Sequence, residues 1–133
     1  MTAKPLTTNQ QLVLGVLKRS PSPLSAYDIL HKLRNKGIKA PLQVYRALEV
    51  LIDLGVTHRL ESLNAFVACS GKNCAQGSMS GFMICNSCGR AEEFCDSQLH
   101  EKLQYIASDH RFMPSHSVVE ISGICARCST LPG

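Results

Sequence analysis

Apolar residues in the N-terminal half recur at three- and four-residue spacing, the pattern of helices with one buried face. Thr7 and Gln10 form a capping-box pair that predicts the start of a first helix, and the prolines within residues 20–23 predict its end. Ser25 suits the N-cap of a second helix, and Gly37 suits the left-handed residue that follows it. Two short helices are therefore expected before residue 40.

A third helix is predicted from Pro41, a residue favoured in a first turn, to Gly55, which stops it. Two strand-like segments follow at residues 56–61 and 65–68, with a short turn between them. The connection between the second and third helices is short enough for a helix-turn-helix. Three helices followed by a hairpin indicate a winged helix.

The pattern changes to strand-like segments in the C-terminal half. Residues 79–84 and 90–94 are expected to form an antiparallel pair, and Asp96 suits the N-cap of a helix. Residues 117–124 predict a final strand. The fold class expected is α+β, with a winged helix-turn-helix domain and a small α/β domain.

These elements suggest three parts of the chain. A winged-helix domain is expected over residues 1–69, a hinge or loop over 70–80, and a second domain over 81–133. Domains shorter than about 70 residues usually need a disulfide, a metal or a partner to stabilise their core. The second domain is therefore expected to depend on its cysteines.

Two CxxC motifs, Cys85 to Cys88 and Cys125 to Cys128, follow the apolar runs of this second half. Each is expected to be a tight turn that presents two sulfurs on one side, and two such turns complete the tetrahedron that Zn²⁺ prefers. The 36 residues between them exceed the spacing of a zinc finger. We therefore expect a closed structural zinc site that joins two separate elements of one domain.

Disulfides and redox chemistry are the competing interpretations of the cysteines. Seven cysteines is an odd number, and the first residues lack the charged-then-apolar build of a signal peptide. A reducing cytosol is therefore expected, where paired CxxC motifs hold metal more often than they form disulfides. A thioredoxin-like centre needs one CxxC only, so the second motif argues against it.

Charge is distributed unevenly. Residues 1–68 carry nine Lys and Arg against four Asp and Glu, whereas residues 69–133 carry five against six. A basic first half suggests an anion-binding domain. Chance surface charge would give the same balance, so the charge indicates anion binding only together with a sequence motif. No apolar run approaches the roughly 20 residues of a membrane span, and aromatic residues, at 5% of the chain, are too few for single-strand stacking platforms.

In a winged helix the third helix enters the major groove of DNA. Arg46 suits a bidentate contact with guanine, and Gln43 can reach adenine or a phosphate. Lys39 and Arg59, with Lys18 and Arg19, are interpreted as phosphate contacts. Tyr45 either packs within the domain or touches the backbone, and a salt bridge to Glu49 or Asp53 is the alternative for Arg46.

Longer strings of the sequence resemble the ferric uptake regulator superfamily. They are PLQVYRAL at residues 41–48, HRLES at 58–62, CNSCG at 85–89 and the late CARC at 125–128, in the order of that family. The segments SAYDIL, VYRAL, HRLESLNAFVAC and MICNSCG are similar to its zinc uptake branch.

The resemblance implies a homodimeric, metal-dependent bacterial transcription factor of the cytoplasm, with no enzyme activity and no small-molecule substrate. The zinc branch binds palindromic double-stranded operators when zinc is plentiful and represses zinc-uptake genes. Tyr27, Tyr45 and Arg46 match positions at or near the DNA. The cysteines of the two CxxC motifs match the family's structural zinc site.

The resemblance also implies a second, regulatory zinc at the hinge, with His58, Cys69 and Glu93 at three ligand positions. A mixed N, S and O set suits Zn²⁺, and the soft thiolate argues against a site for iron or manganese alone. Where the family has a fourth, histidine ligand, this chain offers Cys74; water or His100 are alternatives. Other readings are a wing residue near a phosphate for His58 and a buried small side chain for Cys69.

Other functions stay open beside the zinc-responsive repressor. A relative that senses iron, manganese or thiol oxidation is one. Oxidation would act on Cys69, Cys74 or Cys95, and Cys95 is expected to be an unliganded thiol. A zinc hydrolase of the deaminase kind needs an H-x-E motif, which the sequence lacks.

Overall fold

The computed structural model describes residues 5–69, 79–115 and 117–130, with the backbone alone at residues 79 and 80. The chain divides into two compact units, Met1–Cys69 and Ser70–Gly133. Within the described ranges, none of the helices combines the length and the hydrophobicity that a membrane span requires.

The N-terminal unit is three helices followed by a hairpin, as the sequence predicts. Its elements are α1 (Thr8–Arg19), α2 (Ala26–Leu33), a 3-10 turn (Arg34–Lys36), α3 (Pro41–Asp53), β1 (Thr57–Leu60) and β2 (Ala65–Ala68). β1 and β2 are antiparallel, with His58 opposite Val67. Leu24 and Phe66 add a further antiparallel bridge, because each backbone N–H donates to the other's carbonyl, at 3.0 and 2.8 Å.

The predicted caps explain where these helices begin. The Thr7 hydroxyl accepts from the Gln10 N–H at 3.2 Å, and the Gln10 amide oxygen accepts from the Thr7 N–H at 3.0 Å. Ser25 and Asp28 form the same reciprocal pair, both at 3.1 Å, before α2. Each pair satisfies two backbone donors that the helix itself leaves open. Gly37 has a φ of +101°, so the left-handed residue is the one predicted.

The core of the N-terminal unit is apolar and extensive. Five members of its main cluster, from α1, α2, α3 and the segment before α3, have no exposed surface: Val13, Ile29, Ile38, Val44 and Leu51. Ten further buried apolar residues of this unit belong to the same cluster. Burial of this kind fixes the orientation of α3, and therefore which of its residues face outward.

The C-terminal unit is one three-stranded sheet with helices. Its elements are β3 (Met79–Cys85), β4 (Ala91–Phe94), α4 (Ser97–Asp109), β5 (Ser117–Gly123) and α5 (Ala126–Ser129). The strand order is β4-β3-β5; β3 pairs with β4 antiparallel and with β5 parallel. The parallel pair needs a crossover, which passes through α4. Helices and sheets together confirm the α+β class.

This second unit buries little by itself. The buried side chains that the structure describes there are Phe82, Ile84 and Cys85, all on β3, at 2%, 4% and 5% exposure. The described part of α4 and of β5 contributes no buried residue. Met83 and Ile121, by contrast, are 42% and 51% exposed. The unit therefore depends on something other than its own apolar core.

We expect Gly81→Ala to destabilise the C-terminal unit. A Cβ at Gly81 would lie 2.6 to 2.8 Å from the ring carbons of Phe94, its cross-strand partner. Such overpacking typically costs about 1–3 kcal/mol. Gly123→Ala on β5 is the matched control, since nothing lies within 4 Å of the added atom. Denaturant unfolding of the zinc-loaded protein should show a lower midpoint for Gly81→Ala alone; equal midpoints would contradict the packing described.

Candidate metal centres and nucleic-acid interface

Four cysteine sulfurs converge at one end of the C-terminal sheet. The sulfurs of Cys85, Cys88, Cys125 and Cys128 all lie within 4.8 Å of one another. Those of Cys88 and Cys125 are 3.8 Å apart. Zinc–sulfur bonds of about 2.3 Å in a tetrahedron place sulfurs about 3.8 Å apart, so the set fits a closed zinc site.

The first CxxC motif is a tight turn between β3 and β4. β3 ends at Cys85, and the Gly89 N–H donates to the Cys85 carbonyl at 3.0 Å. Gly89 has a φ of +78°, a conformation that glycine adopts without strain. The turn aims the N–H groups of Ser87 and Cys88 at the Cys85 sulfur, both at 3.4 Å.

The second motif is helical, so the prediction of two equivalent turns is wrong. β5 ends at Gly123, and Cys125 is the N-cap of the short helix α5, with Cys128 in that helix. A helix start also points two residues of a CxxC to one side, because N-cap and N3 are neighbours. The Cys125 N–H donates to the Cys85 sulfur at 3.3 Å, which joins the two motifs through the backbone.

The backbone donors make Cys85 unlike the other thiols. The N–H groups of Cys125, Cys88 and Ser87 stabilise its thiolate and lower its pKa from 9.0 to about 6, against the opposing effect of burial. A hydrogen bond with Ser87 favours the thiolate of Cys128, but the neighbouring sulfurs, Cys125 first, and desolvation outweigh it and raise the pKa of Cys128 to about 11. The cluster therefore holds one preformed thiolate for a cation.

We expect the number of protons displaced per zinc to fall by about one as pH rises from about 5 to about 7.5. A pKa lowered to about 6 means that Cys85 loses its proton across this window, before zinc arrives. By the same linkage, its thiolate stabilises the zinc-free fold above pH 9, and that stability is lost as pH falls through about 6. Titration calorimetry in buffers of different ionisation enthalpy measures the count. A count that does not change with pH would exclude the shifted thiol.

Two of the ligands predicted for a regulatory metal lie on the hairpin of the N-terminal unit. His58 on β1 is opposite Val67, and the Cys69 N–H donates to the Val56 carbonyl at 2.9 Å, so the pairing continues past β2. Diagonal neighbours two residues out of register share a face of the hairpin. The ligand atoms of His58 and Cys69 accordingly lie within 4.8 Å of each other, and both residues are half-buried.

The remaining predicted ligands lie elsewhere in the chain. Glu93 is half-buried on β4 of the C-terminal unit, opposite Phe82. Cys74 lies outside the described residues. Cys95, expected to be an unliganded thiol, is disulfide-bonded. The structure thus brings together the four cysteines of one predicted site and, on the hairpin, two of the ligands predicted for the other.

Gln43, predicted to contact DNA, caps its own helix. Its amide oxygen accepts from the Lys39 and Ala40 N–H groups at 2.8 and 3.1 Å. The bond to Ala40 is one half of a capping box, and Ala40, the N-cap residue, has no side-chain oxygen for the other half. The amide nitrogen alone is left to reach outward, so the bidentate contact with adenine is not available in this conformation.

The other predicted contacts of this region are exposed. Arg46 is exposed, and within residues 5–69 no hydrogen bond or ion pair engages its guanidinium, so the alternative of a bridge to Glu49 or Asp53 is not realised. Lys39 is exposed just before α3. Tyr27 on α2 and Tyr45 on α3 are 65% and 40% exposed. All four present charge or aromatic surface to solvent.

Arg59 has a role in the hairpin that the sequence did not reveal. Its guanidinium donates to the Asn64 side-chain oxygen at 3.0 Å and lies 3.7 Å from the Glu61 carboxylate. Asn64 has a φ of +48°, which asparagine tolerates in tight turns. Arg59 therefore shapes the turn. The five-residue spacing of Arg59 and Asn64 was the feature of the sequence that could have predicted this hydrogen bond.

Comparison with known proteins identifies relatives along nearly the whole chain. The ferric uptake regulator family matches residues 4–122. The zinc uptake regulation protein of Escherichia coli (strain K12) is 34% identical over 124 residues, which covers 92% of this chain and 72% of the relative. The ferric uptake regulation protein of Legionella pneumophila is 29% identical over 133 residues, covering 90% and 97%.

Solved structures of zinc uptake regulators are also similar to this chain. Holo XcZur has a TM-score of 0.86 at 37% identity, covering 96% of this chain and 89% of that one. A zinc uptake regulator complexed with zinc and DNA has a TM-score of 0.87 at 33% identity, covering 94% and 83%. The resemblance to the zinc branch that the sequence indicated is confirmed.

Proposed function

The chain belongs to the ferric uptake regulator family, and on that premise we propose that it is a zinc-responsive transcriptional repressor of zinc-uptake genes. The observation that carries the proposal is the pair of His58 and Cys69 on the hairpin of a winged helix, beside a separate four-cysteine site. Membership of a family of regulators also confirms that the chain is not an enzyme.

Zinc has a structural role in the C-terminal unit. Cys85, Cys88, Cys125 and Cys128 hold it, and it joins the β3–β4 turn to the start of α5. Because so little apolar surface is buried in this unit, the metal supplies stability that the core does not. Loss of one of the four sulfurs would therefore affect folding as well as metal content.

Zinc also has a regulatory role, at a second site. His58 and Cys69 bind it from the hairpin and Glu93 from the second domain, and Cys74, when its thiol is reduced, completes the set. One ion bound by groups of both domains, 1–69 and 81–133, restrains the linker 70–80. Metal then favours the DNA-binding arrangement in proportion to its differential affinity for it.

DNA is contacted through the N-terminal unit. Arg46 reads guanine, Tyr45 and Tyr27 contact the DNA from α3 and α2, and Lys39 and Arg59 contact phosphates. Gln43 contributes through its amide nitrogen, since the oxygen is used in the cap. A zinc uptake regulator that shares 33% identity with this chain has been solved with zinc and DNA.

The active form is a homodimer in the bacterial cytoplasm, on palindromic operators. Support comes from the C-terminal unit, where large apolar side chains are exposed: Met83, Tyr105, Ile106, Phe112, Met113, Val118, Ile121 and Ile124. Exposed apolar surface on this scale marks an interaction site, and a dimer interface is self-complementary. The dimer fixes the spacing of the two recognition helices.

An alternative function is the sensing of iron, manganese or thiol oxidation with the same fold. The disulfide at Cys95 is the observation that supports thiol oxidation as the signal. The signal that switches DNA binding distinguishes these functions. A zinc sensor responds to buffered free zinc in the absence of other metals and oxidants.

We expect Cys69→Ser and His58→Ala each to lower the zinc content from about two ions per chain to about one and to abolish zinc-dependent DNA binding. Each removes a ligand of the regulatory site and leaves the four-cysteine site complete. His110→Ala, at an exposed histidine of the C-terminal unit, is the matched control. Metal analysis with DNA binding at buffered zinc tests this. DNA binding that persists in both variants would move the signal to another metal or to oxidation.

We expect Arg46→Ala to weaken operator binding roughly 5- to 150-fold, the range of one bidentate base contact. Lys102→Ala, a basic residue that lies over the Tyr105 ring in the other unit, should bind as the native chain does. Mobility-shift titration with zinc present measures both. Equal losses on specific and random duplexes would assign Arg46 to phosphates instead of a base.

A further inference from the structure

We infer that Leu42 is a specificity-determining residue of the recognition helix, which reads the C5-methyl group of a thymine in the major groove. The inference rests on the proposed function, because it needs α3 to lie in that groove. It adds to the function a base preference that neither the charge nor the metal sites of the chain provide.

Leu42 lies on the outermost line of α3. The buried residues of this helix are Val44, Ala47, Leu48 and Leu51. At about 100° per residue, the line opposite them runs through positions 42, 46, 49 and 53. All four residues on that line, Leu42, Arg46, Glu49 and Asp53, are exposed. Leu42 thus shares its line with Arg46, one turn nearer the start of the helix.

The exposure of Leu42 is high for its position. It is 57% exposed. The other exposed large apolar residues of α3 are 40%, 38% and 37% exposed: Tyr45, Val50 and Ile52. A single exposed leucine elsewhere on a surface needs no explanation. Here it lies in the first turn of the helix, the part of a recognition helix that contacts base edges.

The neighbouring polar side chain, Gln43, competes little with Leu42 for contact with a base. Gln43 holds its amide oxygen on the Lys39 and Ala40 N–H groups, so the first turn offers no free acceptor for a base from that residue. Ala40 and Pro41 carry no polar side-chain group. The first turn of α3 therefore meets a base edge with the apolar side chain of Leu42.

The chemistry of the groove supplies one matching partner. Each base edge there carries hydrogen-bond donors or acceptors, and thymine alone adds a methyl group, which apolar side chains contact. Removal of a methyl-sized group from such a contact weakens binding roughly fourfold per half-site. Phosphates and the other bases offer a leucine nothing comparable.

The spacing of the two residues predicts where the thymine lies. Four residues of helix rise by about 6 Å, which corresponds to roughly two base-pair steps of 3.4 Å. The thymine read by Leu42 is therefore expected about two base pairs from the guanine read by Arg46, in each half-site.

The test is a double-mutant cycle that combines removal of the Leu42 side chain with removal of one thymine methyl group. Duplexes are first selected from a random library by the zinc-loaded native chain. In the consensus duplex, each thymine is then replaced singly by deoxyuridine, which lacks only the methyl group. At one thymine per half-site, about two base pairs from the guanine that Arg46→Ala no longer distinguishes, deoxyuridine should weaken the native chain about fourfold. The same replacement should leave Leu42→Ala unaffected, while Leu42→Met keeps the thymine dependence.

Leu54→Ala is the matched control, because Leu54 is 52% exposed but caps the far end of α3. It should bind like the native chain and show the same response to deoxyuridine. If zinc-dependent binding is intact but no thymine is coupled to Leu42, the inference is overturned and the proposed function stands. A native chain that binds no duplex in the presence of zinc overturns both.

Discussion

The convergence of four cysteine sulfurs is the constraint on which the C-terminal unit depends. Its described core is a few residues of one strand, whereas fifteen buried residues form the cluster in the N-terminal unit. Conformational entropy opposes order in both units to a similar degree per residue. The metal, together with the dimer, therefore carries in the second unit the role that apolar burial carries in the first.

The two CxxC motifs achieve one ligand geometry by different local structures. The first is a turn that needs Gly89 in a left-handed conformation, and the second is the start of a helix. Backbone N–H groups from both motifs converge on the sulfur of Cys85. These donors stabilise the Cys85 thiolate before any cation binds.

The sequence revealed the local elements and left the non-local ones open. Capping pairs such as Thr7 with Gln10 act within three residues, so helix starts were predictable. The parallel pairing of β3 with β5 joins segments more than thirty residues apart, and no spacing rule specifies it. The helical second CxxC and the capping role of Gln43 depend on backbone conformation, which residue identities alone do not determine. His58 and Cys69 were inferred from a resemblance; the hairpin register then explains why they are close.

In α3, the proposed recognition helix, the same side chains can either stabilise the helix start or contact DNA. At the start of α3, Gln43 turns its amide oxygen back to the Lys39 and Ala40 N–H groups. Those donors are then no longer open to a phosphate, which a helix start would otherwise attract. In the proposed complex, contact with DNA comes from side chains, and on the outer line of α3 an apolar residue and a cation precede two carboxylates. Because carboxylates are repelled by phosphates, close approach is favoured at the first half of α3 and opposed at the second. In the proposed complex, the charge pattern of α3 therefore favours a tilt that brings Leu42 and Arg46 to the bases.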